Sequence, residues 1–464
     1  MRFLPEEEQQ RLLAACFARS ALTQEQLWMR YFALGGSQSL LELDAYVNGL
    51  TTLPRVDRDM LAHAVNERLD ELAGPPRAPY SHSVRDGKPL HGPLKALVDL
   101  LEGAHRAPPE RLPAVVAAAG RALDLRIGVY LADYDQRTLV RADTAAELDI
   151  ETTVAGDVFR RAGTAVTWDA PGPTLWTVLL DGVERLGVLE IVPTDGADPD
   201  DPALREQCRW LSTLLGHLVT VTTQYGDGLD ARRRRRHRGS PAELLWQSLP
   251  PLTGATESVV VGASVQPAYD LCGVVFDYAL SERRARLAMF DAGPRTGEAS
   301  YGVVNALAAY RAARRDGASL AEQYAAVGRE LADSGAVVTG VLAELDLVTG
   351  ELRWLDAGHP PPLIVRGDAV LPETEAAATG FGRPPRATEV RLRPGDVVAL
   401  YSHGLAGAPD RAGKSFGRER TAGFLTGGSL PPEAARLLTQ AVVTHAGGEL
   451  LSDAGVVVAR WLPR

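Results

Sequence analysis

The last two-fifths of this 464-residue chain carry four short segments in which acids and histidines sit beside glycines. They read Y-D-L-C-G-V-V-F-D-Y from Tyr269, F-D-A-G-P-R-T-G-E-A-S from Phe290, Y-S-H-G-L from Tyr401 and L-S-D-A-G from Leu451. Such a pattern suits cation binding, because hard ions take oxygen ligands and glycine lets backbone approach closely. Asp291, His403 and Asp453 are the candidate ligands of a single cation, and the His403 imidazole matches a transition metal better than Mg²⁺. Arg295 follows closely on Asp291. It is expected to pair with it, since a carboxylate in a cleft is costly without a partner. Asp277 is a second cleft candidate whose simpler role is to order a turn. His359, ahead of three prolines in A-G-H-P-P-P, reads as a turn residue rather than an acid–base group.

These segments resemble the metal-binding motifs of the protein phosphatase 2C (PPM-type) family in its bacterial SpoIIE-like branch. There they run roughly E-V-G-G-D-x-F/Y-D, G-D-x-M-G-H-G, Y-T-D-G and D-D-x-T. Three further stretches follow the family in the same order: D-A-G-H-P-P-P-L from Asp356, R-P-G-D-V-V-A-L-Y-S-H-G-L from Arg393 and F-G-R-E-R from Phe416. The resemblance implies a sandwich of two antiparallel sheets flanked by helices. It also implies a pair of Mn²⁺ or Mg²⁺ ions that polarise a phosphate and generate a hydroxide.

Against that pattern, Val274, His403 and Ser452 stand at three positions the family fills with acids. Val274 has no lone pair, His403 offers nitrogen and Ser452 is a weak neutral ligand. Pro294 and Arg295 interrupt the family's glycine turn, and Asp291 remains as a vestigial ligand. Losing even a residue that only supports a ligand typically costs roughly 10- to 100-fold in metal affinity or activity. Three lost ligands cost more. The expectation is therefore a pseudophosphatase with no catalytic residue and no cofactor, Mn²⁺ or Mg²⁺ entering only if the domain is active. The alternative is a divergent phosphatase that works with one metal.

The elements that must position these residues fit an α+β chain. Residues 1–73 read as a helical N-terminal domain, with helices over 6–19, 24–33, 40–50 and 56–72. Leu27, Trp28, Tyr31 and Phe32 recur at helical spacing and make a small core, and Ser37 is the candidate cap of the third helix. Residues 74–92 are a Pro-, Gly- and Ser-rich linker. Residues 93–225 alternate helix and strand, with a hairpin around Asp181-Gly182 and a long terminal helix from Pro202. This order resembles a GAF domain, a sensory α/β module, which implies an unknown small ligand. His217 lies among leucines on the terminal helix and reads as structural.

Residues 226–249 join the halves as an Arg-rich linker, Arg232 to Arg236 with Arg238, and a switch helix carrying Leu244, Leu245 and Trp246. By composition the arginine run is a solvated charged linker. Residues 250–464 form the SpoIIE-like domain, a PPM-type αββα sandwich in expectation.

A formal net charge of −10 argues against bulk affinity for nucleic acid or anionic membranes. Contact with DNA through the arginine run is a third reading, and it lacks stacking aromatics. No apolar stretch is long enough to span a bilayer, and the polar start is not that of a signal peptide. Cys16, Cys208 and Cys272 form no close pair, which suits a reducing cytoplasm. The resemblance implies a STAS-type anti-sigma antagonist or an anti-sigma kinase as partner, and helical pairing into a homodimer.

Overall fold

Capping side chains punctuate the first unit, residues 1–89. It contains α1 (Glu6–Ser20), α2 (Gln24–Ala33), α3 (Leu40–Val47) and α4 (Arg55–Glu71). Thr23 with Gln26, and Ser39 with Glu42, form reciprocal capping boxes. The cap of α3 is thus Ser39 rather than Ser37, whose N–H donates to the Tyr31 hydroxyl. Leu27 and Tyr31 enter the core with Leu13, Tyr46 and Leu61, whereas Phe32 faces solvent. The computed structural model describes residues 4–72, 92–105, 107–168, 172–194, 196–267, 269–270, 273–293, 297–372, 380–383 and 387–463. Almost all of the expected linker therefore lies outside the described residues, as do Cys272, Pro294 and Arg295. Cys16 and Cys208 lie in buried surroundings.

The second unit, residues 90–464, begins with a layered α/β domain. Its elements are α5 (Gly92–Ala104), α6 (Leu112–Arg121), β1 (Leu125–Ala132), β2 (Thr138–Arg141), β3 (Glu147–Asp149), α7 (Val154–Arg161), β4 (Thr164–Thr167), β5 (Thr174–Asp181), β6 (Glu184–Pro193) and α8 (Pro202–Thr223). The strands form one antiparallel sheet in the order β3-β2-β1-β6-β5-β4. Its hairpin turns at Gly182 with φ +58°. One face packs Ile127, Val129, Leu189 and Ile191 against α5, α6 and α8. The other packs Tyr130, Val178 and Val188 against Val158 and Phe159 of α7. His217 stands largely exposed near Asp181, Nδ1 to Oδ1 3.5 Å.

Two short helices, α9 (Gly228–Arg233) and α10 (Ser240–Ser248), make the connector. Arg232 and Arg236 are exposed, as in a solvated linker, but other arginines of the run are not free in solvent. Arg234 pairs with Asp230 and Glu243, and Arg235 with Glu147. The Arg238 side chain is fully buried, its guanidinium 4.4 Å from the Tyr134 ring, 4.1 Å from Trp246 and 5.4 Å from Tyr269. Composition alone hides this, because only the fold brings those three rings around one cation. On α10, Leu245 is buried, Leu244 is exposed and Trp246 closes the ring cluster.

The remainder is the expected two-sheet sandwich. Its elements are β7 (Thr253–Ala255), β8 (Val259–Gln266), β9 (Val274–Leu280), β10 (Arg284–Asp291), α11 (Gly297–Arg315), α12 (Leu320–Ser334), β11 (Thr339–Asp346), β12 (Glu351–Ala357), β13 (Leu363–Arg366), β14 (Ala369–Val370), β15 (Ala387–Arg391), β16 (Val397–Tyr401), α13 (His403–Gly407), α14 (Arg418–Gly423), α15 (Pro431–His445) and β17 (Ala454–Trp461). One sheet runs β15-β12-β11-β10-β9 and the other β14-β13-β16-β17-β8-β7. The strands between them are apolar on both faces, as strands covered twice must be. Phe276, Met289, Leu342 and Val457 fill the inter-sheet core, which extends under α11 and α12. Val456, Val458, Leu438 and Val442 pack the second sheet on α15.

Candidate functional site

Strand ends converge to make the site. In the first sheet Asp291, the last residue of β10, pairs with Val274 at the start of β9 and with Thr339 at the start of β11. In the second, β16 ends at Tyr401 and β17 starts at Ala454. Ser402 ties these two together. Its fully buried hydroxyl donates to the Asp453 carbonyl at 2.9 Å, accepts the Gly455 N–H at 3.0 Å and caps α13 through the Leu405 N–H at 3.2 Å. His403 is then the first residue of a helix whose N-terminus faces Asp291. Gly404 is required here, since a Cβ would meet the Asp453 carbonyl at 2.3 Å.

Asp291 is almost fully buried. Its Oδ1 accepts the Gly293 N–H at 2.7 Å, and its Oδ2 accepts the His403 N–H at 3.2 Å with His403 Nδ1 3.5 Å away. Burial pushes the carboxyl up, but His403, His359 and the Gly293 N–H outweigh it and hold it below the ordinary carboxylate range. His359 enters from the loop after β12, which an isolated bridge between Gly340 and Gly358 ties to β11. Its ring stands edge-on to His403 with centroids 5.3 Å apart. Its Nδ1 lies 3.3 Å from Thr339 Oγ1, and that hydroxyl donates to the Asp291 carbonyl at 3.0 Å. Burial pulls His359 down to about 3, against the pull of Asp291, so the ring is neutral.

Asp291, His359 and His403 thus each place one ligand atom within 4.8 Å of the others. Asp291 and His403 meet as their motifs suggest, whereas His359, expected as a turn residue, takes the place expected of Asp453. Asp453 Oδ2 accepts the Gly273 N–H at 3.0 Å, and the residue is not part of that cluster. His359 reaches Asp291 because β12 pairs with β11 and β11 with β10, a juxtaposition across three strands that no local motif signals. Asp277 lies elsewhere. Its two oxygens receive Arg311 at 2.7 Å and Arg314 at 2.6 Å from α11, and it is 2 % exposed.

The described residues do not fit a pair of Mn²⁺ or Mg²⁺ ions, which need several oxygen donors around them. Val274 is 1 % exposed and sits so close to β17 that a Cβ on Gly455 would lie 2.6 Å from its Cγ1. Ser452 contributes at most a neutral hydroxyl, and Asp277 is held by two guanidiniums. Beside Val274 and Ser402, the acids that stand at the ends of β10 and β17 are Asp291 and Asp453.

Residues 282–462 match the family model described as Stage II sporulation protein E (SpoIIE). Protein IcfG of Synechocystis sp. is 23% identical over 138 residues, which cover 29% of this chain and only 22% of that protein. The structure of the RsbU and RsbW domains of Rv1364c from Mycobacterium tuberculosis aligns at 21% identity and TM-score 0.41, over 47% of this chain and 64% of that one. The SiaA-PP2C domain of Pseudomonas aeruginosa aligns at 18% identity and TM-score 0.41, over 48% of this chain and 94% of that one.

Proposed function

From a C-terminal domain that belongs to the SpoIIE-like branch of the PPM-type phosphatases, we propose that this chain is a signalling pseudophosphatase. It binds a serine- or threonine-phosphorylated regulator of the STAS-type anti-sigma antagonist class without hydrolysing it, and so tunes sigma-factor partner switching. The middle domain acts as a GAF-like sensor of a small ligand. The chain works in the cytoplasm as a homodimer, with an anti-sigma kinase as a further partner.

The observation that carries this reading is Val274. It occupies an acid position of the family, yet it is buried in the apolar core against Gly455. Two doubly charged ions cannot be balanced there, because repulsion between them is uncompensated and hydration is lost. Contact with DNA finds no support, since Arg234, Arg235 and Arg238 are committed to acids and rings of this chain. A divergent one-metal phosphatase has one observation in its favour, the Asp291–His359–His403 cluster.

The test is calorimetric titration of the full chain with Mn²⁺, followed by turnover of a phosphoserine STAS substrate. The expected outcome is no two-ion stoichiometry, no turnover and preferential capture of the phosphorylated form. Binding of two Mn²⁺ with turnover abolished by Asp291→Asn rejects the reading. Light scattering checks the dimer, and a monomer at micromolar concentration removes it.

A further inference from the structure

We propose that Asp291, His359 and His403 bind a single borderline divalent cation of the Zn²⁺ class, with one coordination position left open to an oxygen ligand. The proposal shares with the reading above the loss of the two-ion site, but it stands on different atoms and does not depend on any partner.

The Thr339 hydroxyl has one proton, and it goes to the Asp291 carbonyl at 3.0 Å. Towards His359 Nδ1, 3.3 Å away, the same oxygen can therefore only accept. The imidazole proton then sits on Nδ1, and the lone pair sits on Nε2. That nitrogen is buried and makes no hydrogen bond. A competing acceptor, the Tyr401 carbonyl, favours a charged ring but stands outside hydrogen-bonding geometry with Nε2. A buried nitrogen with an unshared lone pair is costly unless something meets it. A metal ion is the partner that uses a lone pair rather than a proton.

The surrounding groups match the way protein metal ligands are usually held. His359 Nδ1 is oriented by a hydroxyl, and Asp291 Oδ1 is oriented by the Gly293 N–H at 2.7 Å, so both ligands have supporting hydrogen bonds. Two nitrogens and one carboxylate oxygen suit Zn²⁺ and its first-row neighbours, not Mg²⁺. Tetrahedral binding at about 2.0–2.1 Å brings ligand atoms to roughly 3.3–3.5 Å from one another. One ligand atom from each of the three residues now lies within 4.8 Å of the others, so the cluster must tighten. His403 can supply that movement, because its side chain is 51 % exposed while Asp291 is 3 % exposed. The same exposure leaves the fourth position facing water, where an aquo ligand or an anionic oxygen can sit.

The experiment titrates the untagged full chain with Zn²⁺ by calorimetry, and repeats the titration with Mg²⁺. Co²⁺ is added in parallel as a spectroscopic stand-in for Zn²⁺. The expected result is one Zn²⁺ per chain at this site and visible absorption of tetrahedral Co²⁺, with no displacement by millimolar Mg²⁺. His403→Ala, at an exposed position, is expected to weaken Zn²⁺ by on the order of 100-fold or more and to abolish the Co²⁺ bands. His359→Gln, checked for native circular dichroism, is expected to do the same. Zn²⁺ binding unchanged by both variants, or displaced by equimolar Mg²⁺, overturns the proposal. Phosphoserine turnover on the same samples reports separately on the pseudophosphatase reading. Zn²⁺ bound without turnover supports both, and absence of Zn²⁺ binding overturns the metal site alone.

Discussion

Val274 and Asp277 lie on one strand, and their fates explain much of the C-terminal domain. Val274 has become part of the hydrophobic core, with Gly455 making room for it. Restoring an acid there does not restore a metal site. Val274→Asp puts a carboxylate among Val265, Met289 and the bare Gly455 backbone with no cation to meet it. The expected cost is more than about 3 kcal/mol, read as a lower urea midpoint, and Mn²⁺ at millimolar concentration does not recover it. Recovery by Mn²⁺ refutes the claim. Asp277 survives as an acid because two guanidiniums of α11 neutralise it. Arg314 is the better buried of the two, 10 % exposed against 23 % for Arg311, and it also lies over the Tyr310 ring at 5.1 Å. Arg314→Met is expected to destabilise the domain by about 3 kcal/mol or more, and Arg311→Met by less. The pair Arg314→Met with Asp277→Asn should recover most of that loss, since it removes both charges; a double variant no more stable than the single refutes the ion-pair account. The sequence made Val274, His403 and Ser452 legible as departures because local spacing marks them. It did not make Asp277's partners legible, because they come from a helix far along the chain.

At the scale of elements, the registers of β9, β10 and β11 bring Val274, Asp291 and Thr339 side by side, and the end of β16 adds His403. The periodicity of these strands was readable in advance, as was the hairpin of β5 and β6. Short or irregular pieces such as β3, α7 and β7 were not, because they bury little on their own and form only against neighbours. One such piece carries a titratable joint. The Glu184 carboxylate, first residue of β6, accepts the Thr253 N–H of β7. Burial raises it to about 7, against the pull of Thr253, Arg233 and Arg185, and Tyr278 is the further titratable group that feels its charge. An unfolded glutamate titrates near about 4.3. Between those values the folded chain keeps a proton that the unfolded chain releases. This contribution to stability is therefore complete below about pH 4 and is lost as pH rises through about 7. Comparing wild type with Glu184→Gln cancels the other groups. Wild type is expected to lose on the order of 1–2 kcal/mol relative to the variant between about pH 5 and 8. A gap that does not change with pH, or that widens in the opposite sense, removes the assignment.

Across the second unit, three clamps join the middle and C-terminal domains. One is Glu184 on Thr253. A second is the network in which Arg185 meets Glu433 at 3.2 Å, while Arg436 meets Glu433 at 2.6 Å and Glu151 at 2.7 Å. Arg436 is 1 % exposed, so the centre of this network is desolvated and sensitive to the loss of Glu433, while Glu151 is 47 % exposed at its edge. The third clamp is the ring cluster around Arg238, to which the middle domain gives Tyr134, the connector gives Trp246 and the C-terminal domain gives Tyr269. A guanidinium can stack on several rings at once, which a compact ammonium cannot do in the same way. Each contact of this kind is worth about 0.5–2 kcal/mol when desolvated. Arg238 therefore has the largest leverage of any single connector residue on whether the two domains melt together. Arg238→Ala is expected to split the calorimetric transition of the full chain into two, and to raise amide exchange in α10 around Leu245 and Trp246. Arg238→Lys should resemble Arg238→Ala, because the charge is kept and the planar stacking is lost. If the alanine variant still melts in one transition within about 1 °C of wild type, the rings hold the domains without the arginine, and α10 is not coupled to the middle domain by this route.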